Sequence, residues 1–443
     1  MYKYYKVSLF YLFMVVSFFS FTLSSLYALT MEEAVILAGN NYPLLKAQIE
    51  TKEQAKYLKK ASYDLYYPTL SLSYAYRDAF DTSIDATYQK IWDTQYSSSV
   101  GLSYRLFDGG YRSSIGKQAS FVFNQSISDI AIQENDLSLM VKKSFYTIMA
   151  SKAVLEVQED AEIIAKKNYE MAKAKRETGV AKFSDVTQAQ VRYTQAKMST
   201  IAAGKDLEKA ISALNSLIGW PLNKKIEIDG EFTTFPIKFD VLYLQKIALL
   251  KRPEIEKQAL NIDISAQSIK AERSNYWPKI DLQLLYQRYD ETGSLNEHEA
   301  VFYTALSYDL FNGPGRYYKV SAQKKAQRAE IERLSEVKRI VSLEVNYAYK
   351  DMELAYANYQ VALDLVEAGQ VNYEQAFGEY RVGKGDILTL IQADMNLSES
   401  KIGLIQQKIN YNVSISSLEK AVFMDLNDLQ KNEQEEITPG GIN

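Results

Sequence analysis

The sequence predicts a mixed α and β membrane protein, in which long coiled-coil helices are joined to four strands per chain in two internal repeats. Three observations predict this fold class. The eight prolines leave two long proline-free stretches, segments of alternating polar and apolar residues precede those stretches, and motifs of the first half recur in the second.

The composition argues against most enzyme classes. The 443 residues include no cysteine and one histidine, His298, so thiolate nucleophiles, Cys-based metal sites and histidine acid–base chemistry have almost no residues to use. The 51 basic and 55 acidic residues give a net charge of −4, which is not typical of nucleic-acid-binding proteins. Acidic residues such as Glu156, Glu159 and Glu162 have the spacing of a solvated helix face. We therefore predict no enzyme activity, no cofactor, no metal site and no nucleic-acid partner.

The first 28 residues have the composition of a secretory signal peptide. Lys3 and Lys6 precede an uncharged stretch from Val7 to Leu26, and small residues lie near Ala28. The alternative is an uncleaved membrane anchor, because the apolar stretch is close to the minimum spanning length of about 18 residues. No later segment approaches that length. Any further membrane span is therefore expected to consist of β-strands, whose sequence signal is weaker.

The second half of the chain repeats the first. Tyr66-Tyr67-Pro68 matches Tyr276-Trp277-Pro278 at an offset of 210 residues. Further along, Leu106-Phe107-Asp108-Gly109 matches Leu310-Phe311-Asn312-Gly313 at an offset of 204. The offset changes between Pro68 and Leu102, so the first copy has a longer connection there.

Each repeat is predicted to contain a first helix, a β-hairpin, a long helix that ends at a glycine, and a returning helix. In repeat 1 (29–236) these cover 31–65, about 69–107, the stretch up to Gly179, and 184–218; in repeat 2 (237–443) they cover 241–275, about 279–311, the stretch up to Gly383, and 386–423. Each long helix has about 60 residues, or on the order of 90–100 Å. The polar stretches 78–95 and 288–299 are predicted loops, the second of which contains His298, and the polar C-terminal tail 424–443 is predicted to be disordered at its end.

The alternation gives each predicted strand one apolar face. In the first strand Leu70, Leu72, Tyr74 and Tyr76 alternate with small or polar residues. Aromatic residues at the strand ends suit the interfacial girdles of a membrane barrel, although the interior of a buried β-sandwich is an alternative. These residues are Tyr66, Tyr67, Trp92, Tyr96, Tyr276, Trp277, Tyr308 and Phe311.

Four strands with an apolar outer face require more than one chain. In lipid nothing satisfies the backbone N–H and C=O groups of an open sheet edge. Membrane barrels begin at about eight strands, so one chain cannot close a barrel. The strands are therefore expected to be pooled across chains, with eight from two chains or twelve from three.

A series of short motifs occurs in a specific order along the chain. They are Leu29-Thr30-Met31-Glu32-Glu33-Ala34, Asn41-Tyr42-Pro43, Leu106-Phe107-Asp108-Gly109-Gly110, Gly179, Asp185-Val186-Thr187-Gln188-Ala189-Gln190, Lys251-Arg252-Pro253-Glu254, Glu344-Val345-Asn346-Tyr347-Ala348-Tyr349 and Tyr380-Arg381-Val382-Gly383. Each motif is weak alone. In this order and duplication they resemble the TolC-like outer-membrane efflux protein family (the outer membrane factors) over nearly the whole mature chain.

The resemblance implies a homotrimer in which a long α-helical coiled-coil barrel crosses the periplasm and is continuous with a transmembrane β-barrel in outer-membrane lipid. It implies a passive exit duct of a tripartite efflux pump or a type I secretion system. A periplasmic adaptor (membrane fusion) protein would join the duct to an inner-membrane pump. Drug, metal-ion and protein cargo are all compatible with such a duct. The alternative function is an exported structural or adhesive coiled-coil protein, which the alternating hairpins and duplicated turns disfavour.

The resemblance also places a periplasmic gate at the two turns between paired helices. The family's gate aspartate falls on Asp185 and its gate tyrosine on Tyr380. Its gate arginine, however, falls on Gly385, and its inner aspartate ring falls on Thr389 and Gln392. The sequence therefore lacks two parts of the family's gate.

Nearby charges are candidates to replace the missing parts, namely Lys384, Asp386 and Lys182. We expect Asp185 to accept a hydrogen bond from Tyr380, with Lys384 or Lys182 as its cation; the alternative is that these charges only solvate a turn. Adaptor docking is expected at the turn residues Thr178, Gly179, Val180, Val382, Gly383 and Lys384. The glycines also suit left-handed helix ends, a structural role that is compatible with docking.

Overall fold

The computed structural model describes residues 28–80 and 92–425. In chain order the elements are α1 (Met31–Asn41), α2 (Pro43–Ala61), β1 (Thr69–Phe80), β2 (Trp92–Phe107), α3 (Tyr111–Glu177), α4 (Phe183–Ile218), α5 (Val241–Lys251), α6 (Pro253–Arg273), β3 (Lys279–Asp290), β4 (Glu297–Ser307), α7 (Gly315–Arg381) and α8 (Ile387–Val422). Short 3₁₀ turns at Ser62–Tyr66 and Ser274–Tyr276 precede β1 and β3. The predicted signal peptide, most of the first hairpin loop and most of the C-terminal tail lie outside the described residues.

The elements of the second half reproduce those of the first. Helices α3 and α7 have 67 residues each, and α4 and α8 have 36 each. The two hairpins also share one register, because Thr69 faces Ser103 in the first and Lys279 faces Ser307 at the equivalent position in the second. The duplication is thus visible in element length and strand pairing. The boundary between the two repeats, placed between residues 236 and 237, stays a prediction.

The prediction of one continuous helix at the start of each repeat was wrong. The helix is broken at Tyr42, between α1 and α2, and at Arg252, between α5 and α6. Both residues have an extended backbone, with ψ of 121°. Each precedes a proline, whose ring disfavours the helical conformation of the residue before it and which has no N–H to donate.

The four strands form one antiparallel sheet in the order β1-β2-β3-β4, which confirms the predicted strand count. The register places apolar side chains in rows across the sheet. One row consists of Leu70, Leu102, Leu284 and Phe302, and the neighbouring row on the other face includes Ser71 and Gly101. The register shifts at a β-bulge between Arg105 and Phe107, so that Phe107 faces Ile280. The alternation read from the sequence therefore describes two chemically different faces of one sheet.

The second hairpin differs from its prediction at both ends. Its loop is shorter than predicted, because β3 extends to Asp290 and β4 begins at Glu297. His298, predicted to lie in the loop, is an exposed residue of β4 that faces Arg288. The short loop is closed by the Asp290 carboxylate, which accepts hydrogen bonds from the hydroxyl groups of Thr292 (2.7 Å) and Ser294 (2.6 Å). At the other end, β4 stops at Ser307 and does not reach residue 311.

The chain folds into two compact units, each built from both repeats. The first contains the described residues up to 46 together with 133–251 and the residues from 341, and the second contains 47–132 and 252–340. The sheet belongs to the second unit. In the first, the Asn412 side chain accepts a hydrogen bond from the Thr233 N–H (2.9 Å) and donates one to the Thr233 carbonyl (3.1 Å). These bonds anchor the segment between α4 and α5, which has no clear sequence pattern.

The turn from β2 into α3 is organised by Asp108. Its buried carboxylate accepts hydrogen bonds from the backbone N–H groups of Gly110 and Arg112, each 3.0 Å long, and from the Arg112 Nε (2.9 Å). The first N–H groups of a helix have no intrahelical partner, and a carboxylate at this position satisfies them. The change from strand to helix is therefore fixed by one side chain.

The two glycines after Asp108 meet different surroundings. Gly109 and Gly110 both have positive φ, +66° and +88°. A Cβ on Gly109 would lie 2.7 Å from the Ser274 carbonyl oxygen and 2.8 Å from the Trp277 Cβ, whereas a Cβ on Gly110 would meet nothing within 4 Å. Glycine is therefore required by both the backbone conformation and the close contacts only at position 109.

We predict that Gly109→Ala is clearly more destabilising than Gly110→Ala. Both substitutions impose left-handed strain of about 1–2 kcal/mol. Gly109→Ala adds overpacking, which costs about 1–3 kcal/mol. The thermal unfolding midpoint of the detergent-solubilised protein, followed by circular dichroism, measures the difference. Equal midpoints for the two variants would contradict the close contact at Gly109.

Candidate functional site

The two turns that reverse the long helices have the same backbone geometry. Gly179, after α3, and Gly383, after α7, have φ of +80° and +79°. In each turn the N–H of the next residue bonds back to a carbonyl near the helix end, from Val180 to Lys175 and from Lys384 to Glu379, both at 2.9 Å. These bonds define Schellman ends, in which glycine adopts the left-handed conformation without steric cost.

The helices that return from the turns begin with carboxylate caps at different positions. Asp386 is the N-cap of α8, and its carboxylate accepts bonds from the Thr389 N–H (2.9 Å) and the Thr389 hydroxyl (3.0 Å). These bonds hold the pKa of Asp386 below its ordinary value. In α4 the acid lies three residues further on, where Asp185 accepts a bond from the N–H of the N-cap Lys182 (3.0 Å). Both carboxylates therefore satisfy helix N-termini.

The turns share an apolar cluster that joins the two repeats. Its buried members are Ala172, Val186, Ala189, Ala376, Tyr380, Ile387, Leu390 and Ala393, with Tyr169, Met171, Tyr373, Phe377 and Ile391 packed against them. The many alanines permit close approach of the helix backbones. The cluster makes the two turns of one chain a single packed site.

Tyr380 is the most constrained of the predicted gate residues. Its side chain is 5% exposed, and within the described residues its hydroxyl is buried with no hydrogen-bond partner. Burial raises the pKa of the Tyr380 phenol, and the negative charge of Asp185 adds to that rise. The expected hydrogen bond from Tyr380 to Asp185 is therefore absent within the described part of this chain. The Asp185 carboxylate instead accepts bonds from Lys182 N–H and the Ser184 hydroxyl (3.2 Å).

The cation beside Tyr380 is Lys175, which the sequence interpretation missed. The Lys175 Nζ lies 4.1 Å from the centroid of the Tyr380 ring and donates a hydrogen bond to the Tyr380 carbonyl oxygen. About two turns earlier on the same helix, Lys167 lies over the Phe377 ring at 5.5 Å. Neither of the expected cations, Lys182 or Lys384, forms an ion pair with Asp185 among the described residues. Two lysines of α3 thus face two aromatic rings of α7.

A buried ion pair links the returning helices further from the turns. The Arg192 Nε of α4 lies 2.8 Å from the Asp394 Oδ2 of α8, and the Asp394 side chain is 1% exposed. Burial raises the pKa of Asp394, and Arg192 opposes that rise. The sequence contained a signal for this pair, because Asp394 interrupts the coiled-coil spacing of Ile387, Leu390 and Leu397.

The remaining predicted site residues lie on the surface of the turns. Gln392 is exposed and donates to the Asn396 side chain at 2.8 Å, and Lys384 is exposed. The Thr178 hydroxyl donates to the Lys175 carbonyl at 3.0 Å. Val180 and Val382 expose most of their apolar surface. The turns therefore present apolar side chains at the places where adaptor docking was expected.

Within 28–80 and 92–425, no group of three or more His, Asp or Glu residues is arranged to hold a metal ion. Over the same residues, no helix combines the length and the apolarity that crossing a bilayer requires.

Comparison with known proteins decides the family. The model of the outer membrane efflux protein family matches residues 36–220 and 244–422. The chain belongs to this family. Because the match falls in two segments that follow the internal duplication, it covers both repeats. The chain is accordingly an outer-membrane protein that serves as an exit duct for efflux.

Individual relatives are distant but cover most of the chain. The probable efflux pump outer membrane protein TtgC of Pseudomonas putida is 23% identical, over 74% of this chain and 69% of TtgC. The alkaline protease secretion protein AprF of Pseudomonas aeruginosa is 20% identical, over 65% of this chain and 62% of AprF. The CmeC outer membrane channel of Campylobacter jejuni matches in structure with a TM-score of 0.75 at 18% identity, covering 92% of this chain and 89% of CmeC. The last similarity is one of fold.

We predict that the ring of Tyr380 contributes to stability and that its hydroxyl does not. Tyr380→Phe keeps the ring beneath Lys175 and removes a buried hydroxyl without a partner, so stability should change by less than about 0.5 kcal/mol. Tyr380→Leu removes the cation–π contact and leaves a cavity, so it should cost about 2–4 kcal/mol. Thermal unfolding of the two variants measures this contrast. A Phe variant as unstable as the Leu variant would show that the hydroxyl has a partner in the assembled protein.

Proposed function

We propose that three copies of the chain form a homotrimeric duct, with a twelve-strand β-barrel in outer-membrane lipid and a coiled-coil barrel in the periplasm. One observation carries the proposal: β1 and β4 each have one edge without a partner strand among the described residues, and the sheet is apolar along one face. Leu70 and Leu72 of β1 are 73% and 78% exposed. Lipid contact accounts for the apolar face, and pairing between chains satisfies the edges.

The duct is passive, and the proposal assigns it no catalytic step. Its partners are a periplasmic adaptor protein and an inner-membrane pump, which supply the energy and select the cargo. The adaptor docks at the turns formed by Thr178, Gly179, Val180, Val382 and Gly383, where exposed valines offer apolar contact. An adhesive coiled-coil protein does not account for four strands with an apolar face. The exit duct is therefore the better account.

The periplasmic end closes at the same turns, through Asp185, Tyr380, Lys384, Asp386, Thr389 and Gln392. In this proposal Lys175 supplies the cation that the sequence lacks at Gly385. Lys175 and Tyr380 belong to different repeats, so their contact holds one helix pair against the other. Separation of the helix pairs opens the duct, and loss of such contacts favours the open state.

Fractionation of cells tests the duct directly. We predict that the chain sediments with the outer membrane and that its detergent-solubilised form has the mass of three chains by light scattering. Planar bilayers that contain this trimer should show ion channels. A water-soluble single chain in the periplasmic fraction would reject the proposal and support the adhesive or structural alternative.

A pair of substitutions at Asp185 tests the gate. Asp185→Asn keeps an acceptor for the Lys182 N–H and removes the charge, whereas Asp185→Ala removes both. If the charge holds the turns closed, both variants raise the open probability in planar bilayers. If the Asp185 charge stabilises the closed state by about 0.5 kcal/mol in each of three chains, its removal raises the open probability roughly tenfold. An effect of the Ala variant alone would assign Asp185 to helix capping and remove it from the gate.

A further inference from the structure

The helical segments next to the sheet are strongly basic. Thirteen residues lead into each hairpin (56–68 and 266–278), and thirteen follow each Leu-Phe pair after it (108–120 and 312–324). These four junction segments contain ten basic and three acidic residues, although the whole chain has a net charge of −4. All of them belong to the second compact unit. An excess of positive charge therefore lies where the helices meet the strands.

The aromatic residues of the junction segments are all amphipathic. There are nine, and each is a tyrosine or a tryptophan, although the chain also contains 18 phenylalanines. Tyr and Trp favour a boundary between apolar and wet surroundings, because their rings are apolar and their O–H or N–H groups are polar. All nine side chains are exposed, namely Tyr57, Tyr63, Tyr66, Tyr67, Tyr111, Tyr276, Trp277, Tyr317 and Tyr318. The junction segments thus have the composition of a membrane interface.

The length of the strands places the junction segments at the depth of the lipid headgroups. β3 has 12 residues and β4 has 11. A tilted strand needs roughly 9–11 residues to cross the hydrocarbon core. Residues just before Lys279 and just after Ser307 then lie among the headgroups, on the side from which the long helices extend. In the proposed duct this side is the periplasmic leaflet.

The opposite end of the second hairpin has the opposite charge. Residues 288–299 contain four acidic residues and one arginine, besides His298. An anionic headgroup would be repelled at that end and attracted at the junction segments. The difference in charge between the two ends of the sheet therefore selects the helix side for an anionic lipid.

One groove of the junction segments has the composition of a headgroup site. It lies between the second 3₁₀ turn and the start of α7. Its lining includes two cations and four apolar or aromatic residues, namely Arg273, Lys324, Tyr276, Trp277, Tyr317 and Val320. Both cations are exposed, and none of the described residues that line the groove is acidic. The groove therefore offers positive charge beside an apolar wall.

The other two arginines of the junction segments are already paired. The Arg112 Nε lies 2.9 Å from the Asp108 carboxylate, and Arg316 lies 3.2 Å from the carboxylate of Asp309. In contrast, neither Arg273 nor Lys324 has an ion-pair partner among the described residues. The charge of the groove is therefore not compensated within the described part of the chain, as a site for an anion requires.

We propose that this groove binds the headgroup of an anionic phospholipid of the periplasmic leaflet, with Arg273 and Lys324 as its cations. The inference rests on the proposed function for the membrane and for the side on which the helices lie. The phosphodiester accepts hydrogen bonds from both cations. Tyr276, Trp277 and Tyr317 contact the glycerol backbone and the first carbons of the acyl chains. A lipid bound in this way holds the duct at a fixed depth in the bilayer.

Three double variants separate this groove from positive charge in general. Arg273→Gln with Lys324→Gln removes both cations, and Arg273→Lys with Lys324→Arg keeps both charges. Lys166→Gln with Lys197→Gln is the matched control, because it removes two exposed lysines of the first compact unit. Each exported protein is purified in a neutral detergent and titrated with dioleoyl phosphatidylglycerol or, separately, with dioleoyl phosphatidylcholine. Mass spectrometry of the intact complexes counts the bound lipids and the chains.

The unsubstituted protein should bind phosphatidylglycerol at least tenfold more tightly than the zwitterionic phosphatidylcholine. Removal of both groove cations should weaken phosphatidylglycerol binding roughly thirtyfold, because about 1 kcal/mol for each Lys or Arg corresponds to about fivefold. The charge-conserving variant and the variant at Lys166 and Lys197 should stay within about threefold of the unsubstituted protein. This pattern would assign the affinity to the two cations of the groove.

Several results would contradict the site. Equal affinity for the two lipids would overturn it, and so would an equal loss of affinity in the variant at Lys166 and Lys197. Competition by free glycerol 3-phosphate at the concentration of the lipid would indicate a site for soluble phosphate and reject the lipid. Three-chain complexes without a preference for phosphatidylglycerol would reject the groove while the proposed duct stands. Single chains that keep the preference would support the groove and reject the proposed trimer.

Discussion

Among the described residues, β1 and β4 each have an edge whose backbone groups are not paired with another strand, and the rest of this structure depends on that constraint. A strand edge in water can bond to solvent, but in hydrocarbon each unsatisfied N–H or C=O costs several kcal/mol. The sheet has an apolar face and two such edges, so its stable environment includes other strands. Oligomerisation is therefore a condition for placing this sheet in lipid. In the proposed trimer, the helical part of the chain has the same symmetry as the sheet.

The internal duplication turns this constraint into a specific geometry. Both hairpins have the same register, so the two strand pairs of one chain have the same geometry. Leu310 and Phe311, which lie beyond the end of β4, are far more exposed than the equivalent Leu106 and Phe107 beside β3. The two repeats therefore differ in their neighbouring strand and not in their internal pairing.

Sequence patterns predicted the elements whose signal is local. Proline-free stretches predicted the long helices, and period-two alternation predicted the strand faces. The break at Tyr42 was also predictable, since the residue before a proline rarely stays helical. The end of β4 was not, because it depends on a neighbouring strand. Lys175 was missed because it contacts Tyr380 across 205 positions, and a lysine on a helix surface carries no pattern that names its partner.

In the proposed gate, the cation comes from a different helix than the family resemblance implies. The family resemblance places an arginine at Gly385, but a Cβ there would lie 3.1 Å from the Glu379 Cβ and 3.2 Å from the Tyr380 N. Any side chain at 385 would therefore require these neighbours to shift by a few tenths of an ångström. The cation comes instead from α3, where Lys175 reaches the ring and carbonyl of Tyr380 from the opposite helix pair. A contact of this kind is worth about 0.5–2 kcal/mol, depending on how far it is desolvated. In the proposed trimer, three such contacts would favour a closed end and would still be weak enough for a docked partner to reverse.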